Sequence, residues 1–376
     1  MKKVLVVGGG IGGLTAALAL RRQGAHVTLW EREAVFSPIG AGIVLAPNAV
    51  AILQRLGVDL AGRGERVGAM LLQSADGRVL QRMDLSAWRA SHGPAYAFHR
   101  GELHEALLEA LAGDADVRCG VAPTAMDDTP DGVVAAACDG SAERFDLVVG
   151  ADGIHSHVRQ LIGQPVPVRY SGYTCWRAVC PNPGVRESLE TWGRGARFGA
   201  VPLSRDRLYV FLVKNAARRA PSLSWPEGFR AAFGGFAGPC PAILEAMNGV
   251  PLMHHDLEEL DEPAWGRGRI WLLGDAAHAM TPNLGQGAAM AIEDAFVLSG
   301  CIGGDASAGH ARFVATRHPR VRKLQLDSRR FGRVAHYESA PAVWARDTVV
   351  RLLPQAMADR QYLQVVEPGL DLARAS

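Results

Sequence analysis

Gly8-Gly9-Gly10-Ile11-Gly12-Gly13 has the residue types and spacing of a phosphate cradle. This G-x-G-x-x-G run lies between an apolar stretch, Val4 to Val7, and a stretch of helical character, Leu14 to Arg22. Gly8 permits the tight turn, Gly10 lets a pyrophosphate approach the backbone, and Gly13 lets the helix pack closely on the strand. The phosphates would sit at the helix N-terminus, where unpaired N–H groups and the dipole favour an anion. Gly24 would end the helix as a left-handed cap. A second strand, Ala25 to Trp30, leads into Glu31, about 20 residues past the glycines, where a carboxylate can bind ribose hydroxyls. These residues predict dinucleotide binding. Two acid–glycine pairs further on repeat the theme: Asp152-Gly153, after the apolar run Leu147 to Ala151, and Gly274-Asp275 within Leu273 to His278. The second is followed by Pro282-Asn283-Leu284-Gly285-Gln286-Gly287-Ala288, a glycine-rich turn opening a long helix.

Other chemistries lack their residues. The six cysteines (Cys119, Cys138, Cys175, Cys180, Cys240, Cys301) form no C-x-x-C pair, so neither a zinc site nor a redox dithiol is indicated, and no metal is expected. They read as buried thiols in a reducing, cytoplasmic compartment. The formal charge of +2, without a Lys/Arg run or aromatic-basic interleaving, argues against nucleic acid. Lys2-Lys3 and the apolar run to Leu20 mimic a signal peptide, but the glycines inside that run and the nucleotide turn it encodes speak against secretion. No uninterrupted stretch has the length of a membrane span, so no stable membrane insertion is expected. With 48% apolar and 21% charged residues, 376 residues suffice for two lobes around one cofactor.

The elements that must position these residues follow from pattern. Gly40 to Asn48 leads into a helix with Pro47 in its first turn and Gly57 at its end. Another helix follows Arg100-Gly101, with Leu103, Leu107, Leu108 and Leu111 at helical spacing. Asp146 to Gly153 reads as a fully buried strand entering a turn. Ala69 to Leu80 and Arg207 to Val213 alternate as antiparallel strands of a separate sheet. From Ala308 onward the chain reads as mostly helical, punctuated by Pro319 and Pro341.

Gly8 to Gly13 with Glu31, Asp152-Gly153 and Gly274-Asp275, in that order and spacing, resemble the three motifs of the class A flavoprotein monooxygenases, the FAD-dependent aromatic hydroxylases. The resemblance covers nearly the whole chain. Tyr170-Ser171-Gly172-Tyr173-Thr174-Cys175-Trp176-Arg177 is similar to text of the salicylate hydroxylase, urate hydroxylase and zeaxanthin epoxidase branches. The resemblance implies an α/β fold in which a Rossmann-like FAD-binding lobe (1–70, 95–165 and 268–335) interleaves with an antiparallel-sheet substrate lobe (71–94 and 166–267), closed by a helical C-terminal tail (336–376). It implies FAD as cofactor, NADH or NADPH as co-substrate, and dioxygen. Hydride transfer to FAD, formation of the C4a-hydroperoxide and oxygen transfer to a small aromatic or heteroaromatic ring would follow. Monomer and dimer both fit.

In the family the aspartate of the third motif bonds the ribityl chain, the second motif touches the pyrophosphate and the nicotinamide nucleotide, and an arginine at a helix start contacts the flavin. Those roles fall on Asp275, Asp152-Gly153 and Arg100. The expected cofactor-binding set is Gly8, Gly10, Gly13, Glu31, Arg32, Gly42, Arg100, Asp152, Gly153, Gly274, Asp275, Gly285, Gly287 and Ala288. The small residues after Pro282 would leave room for dioxygen, and the helix N-terminus behind them would stabilise the anionic reduced flavin. An anionic ring accepts oxygen faster, so a base or cation beside it would help. Candidates are Tyr173, Arg177, Arg197, Tyr209, His254 and His255. Arg197 sits where the urate hydroxylase branch places a substrate-facing arginine, and Arg197, Tyr209, Pro282 and Gly285 form the expected catalytic set. A flavin halogenase would need a Trp-x-Trp-x-Ile-Pro segment, which the chain lacks. A flavin epoxidase acting on an alkene, a non-hydroxylating oxidase or reductase, and an FAD-holding redox sensor stay open.

Overall fold

The computed structural model describes residues 1–36 and 40–375. Residues 37–39 and 376, inside the ranges expected for the cofactor lobe and the tail, lie outside it. Two sheets organise the chain. The first has six strands in the order Gly266–Arg267, Ile270–Leu272, Leu147–Gly150, Lys3–Val7, His26–Glu31, Asp116–Cys119, parallel except for the hairpin at its first edge. Val4, Leu5, Val6 and Val7 are buried on both faces, which is why this strand reads as a continuous apolar run.

Helix Ile11–Arg22 packs between helices Arg100–Leu111 and Gly287–Cys301 on this sheet. It ends as expected: Gly24 has φ +77°, its N–H donates to the Arg21 carbonyl at 2.9 Å, and the Ala25 N–H donates to the Leu20 carbonyl at 3.1 Å. That is a Schellman pair. Helix Pro47–Arg55 begins with its proline and is followed by Gly57 at φ +76°. A three-stranded antiparallel sheet (Pro123–Thr129, Gly132–Ala137, Ala142–Phe145) joins the same core, with Phe145 set edge-on to Trp30.

The second sheet has seven strands in the order Met253–Leu260, Val168–Pro181, Arg207–Asn215, Ala196–Pro202, Ser188–Trp192, Ala69–Ser74, Val79–Asp84. It is antiparallel apart from one parallel junction, Ser188–Trp192 against Ala69–Ser74. Strand alternation gives it two faces. Trp176, Ala178, Phe198, Ala200, Val210 and Leu212 form a core under helices Glu227–Phe233 and Cys240–Ala246. Arg177, Val179, Arg197, Tyr209 and Phe211 lie on the opposite face.

Three helices end the chain: Ala306–Ala335, Ala340–Leu352 and Gln355–Ala375. Pro341 stands at a helix start, as expected, but Pro319 corrects the expectation of a break, because it sits inside a continuous helix of 30 residues. Phe313, Arg317, Val321 and Leu324 are buried on either side of the ring and anchor both halves, so tertiary packing outweighs the lost backbone bond.

Candidate active site

The first turn is built as its glycines predict. Gly8 has φ +105°, and a Cβ there would lie 2.6 Å from the Ala151 carbonyl oxygen, so this turn abuts the Asp152-Gly153 turn directly. A Cβ on Gly13 would lie 1.8 Å from the Gly8 oxygen, whereas one on Gly10 would meet nothing within 4 Å. Helix and strand therefore touch at Gly13, and no described residue fills the space over Gly10. No side chain caps the helix, and its first internal bond is Leu14 N–H to the Gly10 carbonyl at 2.9 Å. The N–H groups of Ile11, Gly12 and Gly13 thus lack intrahelical acceptors. Glu31 ends its strand beside this opening and accepts from the Gly9 N–H at 2.7 Å. Arg32, the next residue, is exposed and pairs with Glu33 at 3.3 Å.

Asp152 caps a helix. Its carboxylate accepts from Ser156 Oγ at 2.5 Å, the His157 N–H at 2.7 Å and the Val158 N–H at 3.0 Å. This fixes the turn at Gly153, whose φ is +82°. Gly274, at φ +57°, is also constrained, since a Cβ would lie 2.9 Å from the Ala291 Cβ. Asp275 beside it stays open to solvent although protein surrounds it; this crowding pushes its carboxyl up, and the charges of His278 and Arg100 oppose the rise. Arg100 belongs to the same group: its stem fills the space over Gly40.

Pro282–Leu284 is a single 3-10 turn that ends in Gly285 at φ +62°, ψ +21°. Added Cβ atoms on Gly285 and Gly287 would meet nothing within 4 Å. Helix Gly287–Cys301 has no side-chain cap, and its first internal bond is Met290 N–H to the Gln286 carbonyl at 2.9 Å. A second uncapped helix start, at Gly287, Ala288 and Ala289, thus borders open space.

Behind it lies a buried ionic network. Arg317 donates to Glu293 Oε2 and Asp294 Oδ1, both at 2.7 Å. Arg320 binds both Glu293 oxygens, Asn48 donates to Glu293 at 2.8 Å, and His278 lies 2.5 Å from Asp294. Asp294 also accepts the Gly274 N–H at 3.0 Å, which ties the third motif to the helix behind it. Burial alone would raise Asp294, but His278 and Arg317 hold it down at about 2.

The seven-stranded sheet turns the face away from helices Glu227–Phe233 and Cys240–Ala246 toward these turns. The Tyr209 ring fills the space over Gly42, and Asn283 in the Pro282 turn donates to the Tyr173 hydroxyl at 2.9 Å. Burial pushes the Tyr209 phenol up to about 12, against the opposing charge of Arg177. Arg197 is 3% exposed and fully engaged: Nε donates to His336 Nε2 at 2.9 Å, Nη1 to Glu190 at 3.1 Å and Nη2 to Asn283 Oδ1 at 2.7 Å. Tyr173 stacks on His336 with ring centroids 4.1 Å apart. His254 lies elsewhere, on the helix-covered face, bonded to Thr174 and stacked on Trp176. His255 is exposed on the open face, opposite Cys175.

The motifs therefore converge with Arg100, Gly42, Tyr209 and the Pro282 turn, and His254 does not join them. Sequence reasoning missed the Glu293–Asp294–Arg317–Arg320 network, Asn283 and His336. An adjacent acid pair on an otherwise apolar helix was the one available signal.

Residues 1–221 and 253–325 match the FAD binding domain family. Aurachin C monooxygenase/isomerase of Stigmatella aurantiaca is 37% identical over 369 residues, spanning 95% of each chain. The 2-heptyl-3-hydroxy-4(1H)-quinolone synthase of Pseudomonas aeruginosa is 39% identical over 368 residues, spanning 95% of this chain and 96% of that one. The structure of Klebsiella pneumoniae HpxO complexed with FAD and uric acid superposes with a TM-score of 0.89 at 26% identity, covering 97% of both. The chain belongs to the FAD-dependent aromatic hydroxylases, a family of flavoprotein monooxygenases. It binds FAD and hydroxylates an aromatic or heteroaromatic compound. Among the described residues no helix is long and apolar enough to cross a membrane.

Proposed function

We propose that the substrate is a fused N-heteroaromatic of the 4-quinolone type, and that NADH or NADPH supplies the electrons and dioxygen the oxygen atom. One observation carries this: a half-exposed, largely aromatic floor of Tyr209, Phe211 and Val179 lies on the sheet face bonded through Asn283 to the glycine turn at Gly285. A planar bicyclic ring suits such a floor facing a turn whose Gly285 carries no side chain. The name of one relative, the 2-heptyl-3-hydroxy-4(1H)-quinolone synthase that is 39% identical, agrees with it.

The residues present fit FAD. The open space over Gly10 and the uncapped N–H groups of Ile11 to Gly13 suit the pyrophosphate, with Glu31 at the ribose and Asp275 and Arg100 further along the cleft. Reduced FAD, when bound, activates dioxygen for transfer of one oxygen atom to the ring. The chain's part is placement and electrostatics. The N–H groups of Gly287, Ala288 and Ala289, with the dipole of a 15-residue helix, stabilise negative charge at the reacting end. Gly285 keeps that end unobstructed. The Tyr209 phenol stays protonated at neutral pH, and its oxygen accepts from Arg177. Arg197 acts by holding Asn283, and so the turn, against the sheet.

Aerobic oxidation of NADH and NADPH by the FAD-loaded protein tests this, with quinolones, aromatic acids, purines and phenols supplied in turn and peroxide scored beside product. We expect a 4(1H)-quinolone to stimulate oxidation and yield a hydroxylated ring with little peroxide. Stimulation by a purine or a benzoate alone would overturn the substrate class, and oxidation indifferent to every compound would overturn the coupling.

A further inference from the structure

Among the described residues, Arg177 is a cation of the open sheet face that has no anion beside it. It stands on strand Val168–Pro181, opposite Phe211 on one neighbouring strand and Met253 on the other, and is half-exposed. Among the described residues no carboxylate lies within ion-pair distance of it and no backbone carbonyl accepts from it. Its neighbours are the Tyr209 hydroxyl and the Cys175 thiol. The His255 imidazole is shifted down by partial desolvation and then by the Arg177 charge itself. The interior arginines differ. Arg159 donates to two carbonyls, Arg317 to two carboxylates, Arg346 to two carbonyls, and Arg197 to the three partners given above.

A half-buried guanidinium flanked by Phe211, Val179 and Met253, with the neutral Tyr209 hydroxyl and Cys175 thiol as polar neighbours, has lost hydration that no charged partner among the described residues replaces, and such groups are stabilised by an anionic or strongly polarised partner. Arginine suits a planar acceptor, because its fixed fork of N–H donors matches an oxygen in the plane of a ring. We propose that Arg177 binds the negatively polarised or ionised ring oxygen of an oxo- or hydroxy-substituted heteroaromatic substrate and thereby sets its specificity. This rests on the heteroaromatic substrate proposed above. Drawing the ring toward its oxyanion form raises electron density at the adjacent carbon, where the oxygen atom is added. The role sequence reasoning gave to Arg197 thus passes to Arg177, twenty residues earlier on a neighbouring part of the same sheet face.

The test uses FAD-loaded enzyme and two probes that differ in one atom, 4(1H)-quinolone and quinoline. Their Kd values are read from perturbation of the flavin absorbance in wild type, Arg177→Gln and Arg177→Lys, and the Kd for FAD is measured in parallel. Wild type should bind the quinolone at least about 10-fold more tightly than quinoline, since a site built around a substrate oxygen rejects the analogue lacking it. Arg177→Gln should abolish that ratio while leaving the quinoline and FAD affinities unchanged, and Arg177→Lys, which keeps the charge and loses the fork, should retain part of it. An unchanged ratio in the glutamine variant overturns the inference, as does equal weakening of both rings. If the glutamine variant fails to fold, the lysine variant decides: a ratio reduced several-fold supports the clamp and a full ratio overturns it. A wild type that hydroxylates quinolones but shows no preference between the probes overturns this inference alone. One that binds neither ring overturns the proposed substrate as well.

Discussion

At Gly10 an added methyl group meets nothing, whereas at Gly13 it lies 1.8 Å from the Gly8 carbonyl oxygen. The two glycines answer different demands, one from the ligand and one from the fold, and substitution separates them. Gly13→Ala forces helix and strand apart and should cost about 1–3 kcal/mol of stability in the FAD-free protein, as other overpacked interiors do. Gly10→Ala should leave the FAD-free melting temperature within about 2 °C of wild type, because an alanine at this exposed helix cap changes little else. It should still weaken FAD by crowding the phosphate approach. Thermal melts with and without FAD check both, and a Gly10→Ala protein that binds FAD normally would remove the phosphate site from this turn. His336 adds a residue-scale pH effect. Burial, and then the Arg197 charge, push its imidazole down to about 2, and Nε2 must stay unprotonated to accept from Arg197. The unfolded chain takes up a proton near pH 6.5 that the folded chain refuses, so this histidine lowers stability progressively below that pH, by about 1.4 kcal/mol per unit.

Between elements, the dominant device is the ionic network under helix Gly287–Cys301. Arg317, on the long helix Ala306–Ala335, is fully buried and is shared by two adjacent acids. Arg317→Met would leave Asp294 with His278 and Glu293 with Arg320. Breaking one side of a buried ion cluster costs about 3–5 kcal/mol, and the helix start at Gly287 would lose its anchor. The pH sign is opposite in origin to that of His336 but acts in the same direction. Asp294 is depressed to about 2, so its contribution is complete above the unfolded value near 4 and is lost as pH falls through 2. Urea midpoints at pH 6.5 and 3.5 should fall steeply in wild type and less in Arg317→Met; equal midpoints at pH 6.5 would show that the network contributes nothing. Beyond the adjacent acids Glu293 and Asp294, nothing local in the chain signals this network. The glycine turns are legible because φ, close approach and helix starts are local properties written within a few residues. Asn48, His278, Asp294 and Arg317 come from four separate stretches and meet only through packing. For the same reason Pro319 reads locally as a break, while anchors on both sides carry the helix through it.

At the scale of the molecule, the last helix, Gln355–Ala375, is part of the site's foundation. It packs on helix Pro47–Arg55, and its Gly369 is so close to the network that a Cβ would lie 2.1 Å from Glu293 Oε1 and 2.7 Å from the Asn48 Cβ. Arg320, which binds Glu293, also donates to the Val365 carbonyl at 2.8 Å. At its other end, Tyr362 stacks on Trp88 at 5.5 Å, and at the close of the preceding helix, Ala340–Leu352, Gln81 of the second sheet donates to the Val350 and Leu353 carbonyls, both at 2.8 Å. The C-terminal helices therefore bridge the core of the six-stranded sheet and the edge of the seven-stranded sheet. Ending the chain at Pro354 would open Glu293 and Asn48 to water and expose the apolar surface that covers Val366 and Leu370. Losing those two side chains from the core alone removes about 3–6 kcal/mol, and at about 2–4 °C per kcal/mol for a chain of this size the melting temperature should drop by roughly 10 °C or more. FAD should weaken as well, because the helix start at Gly287 rests on the uncovered network. The full-length variant Gly369→Leu separates the two effects: it keeps the bridge between sheets but pushes Glu293 aside, so FAD affinity should fall while the Gln81 and Trp88 contacts persist. A truncated chain with wild-type melting temperature and FAD affinity would reduce the tail to an appendage.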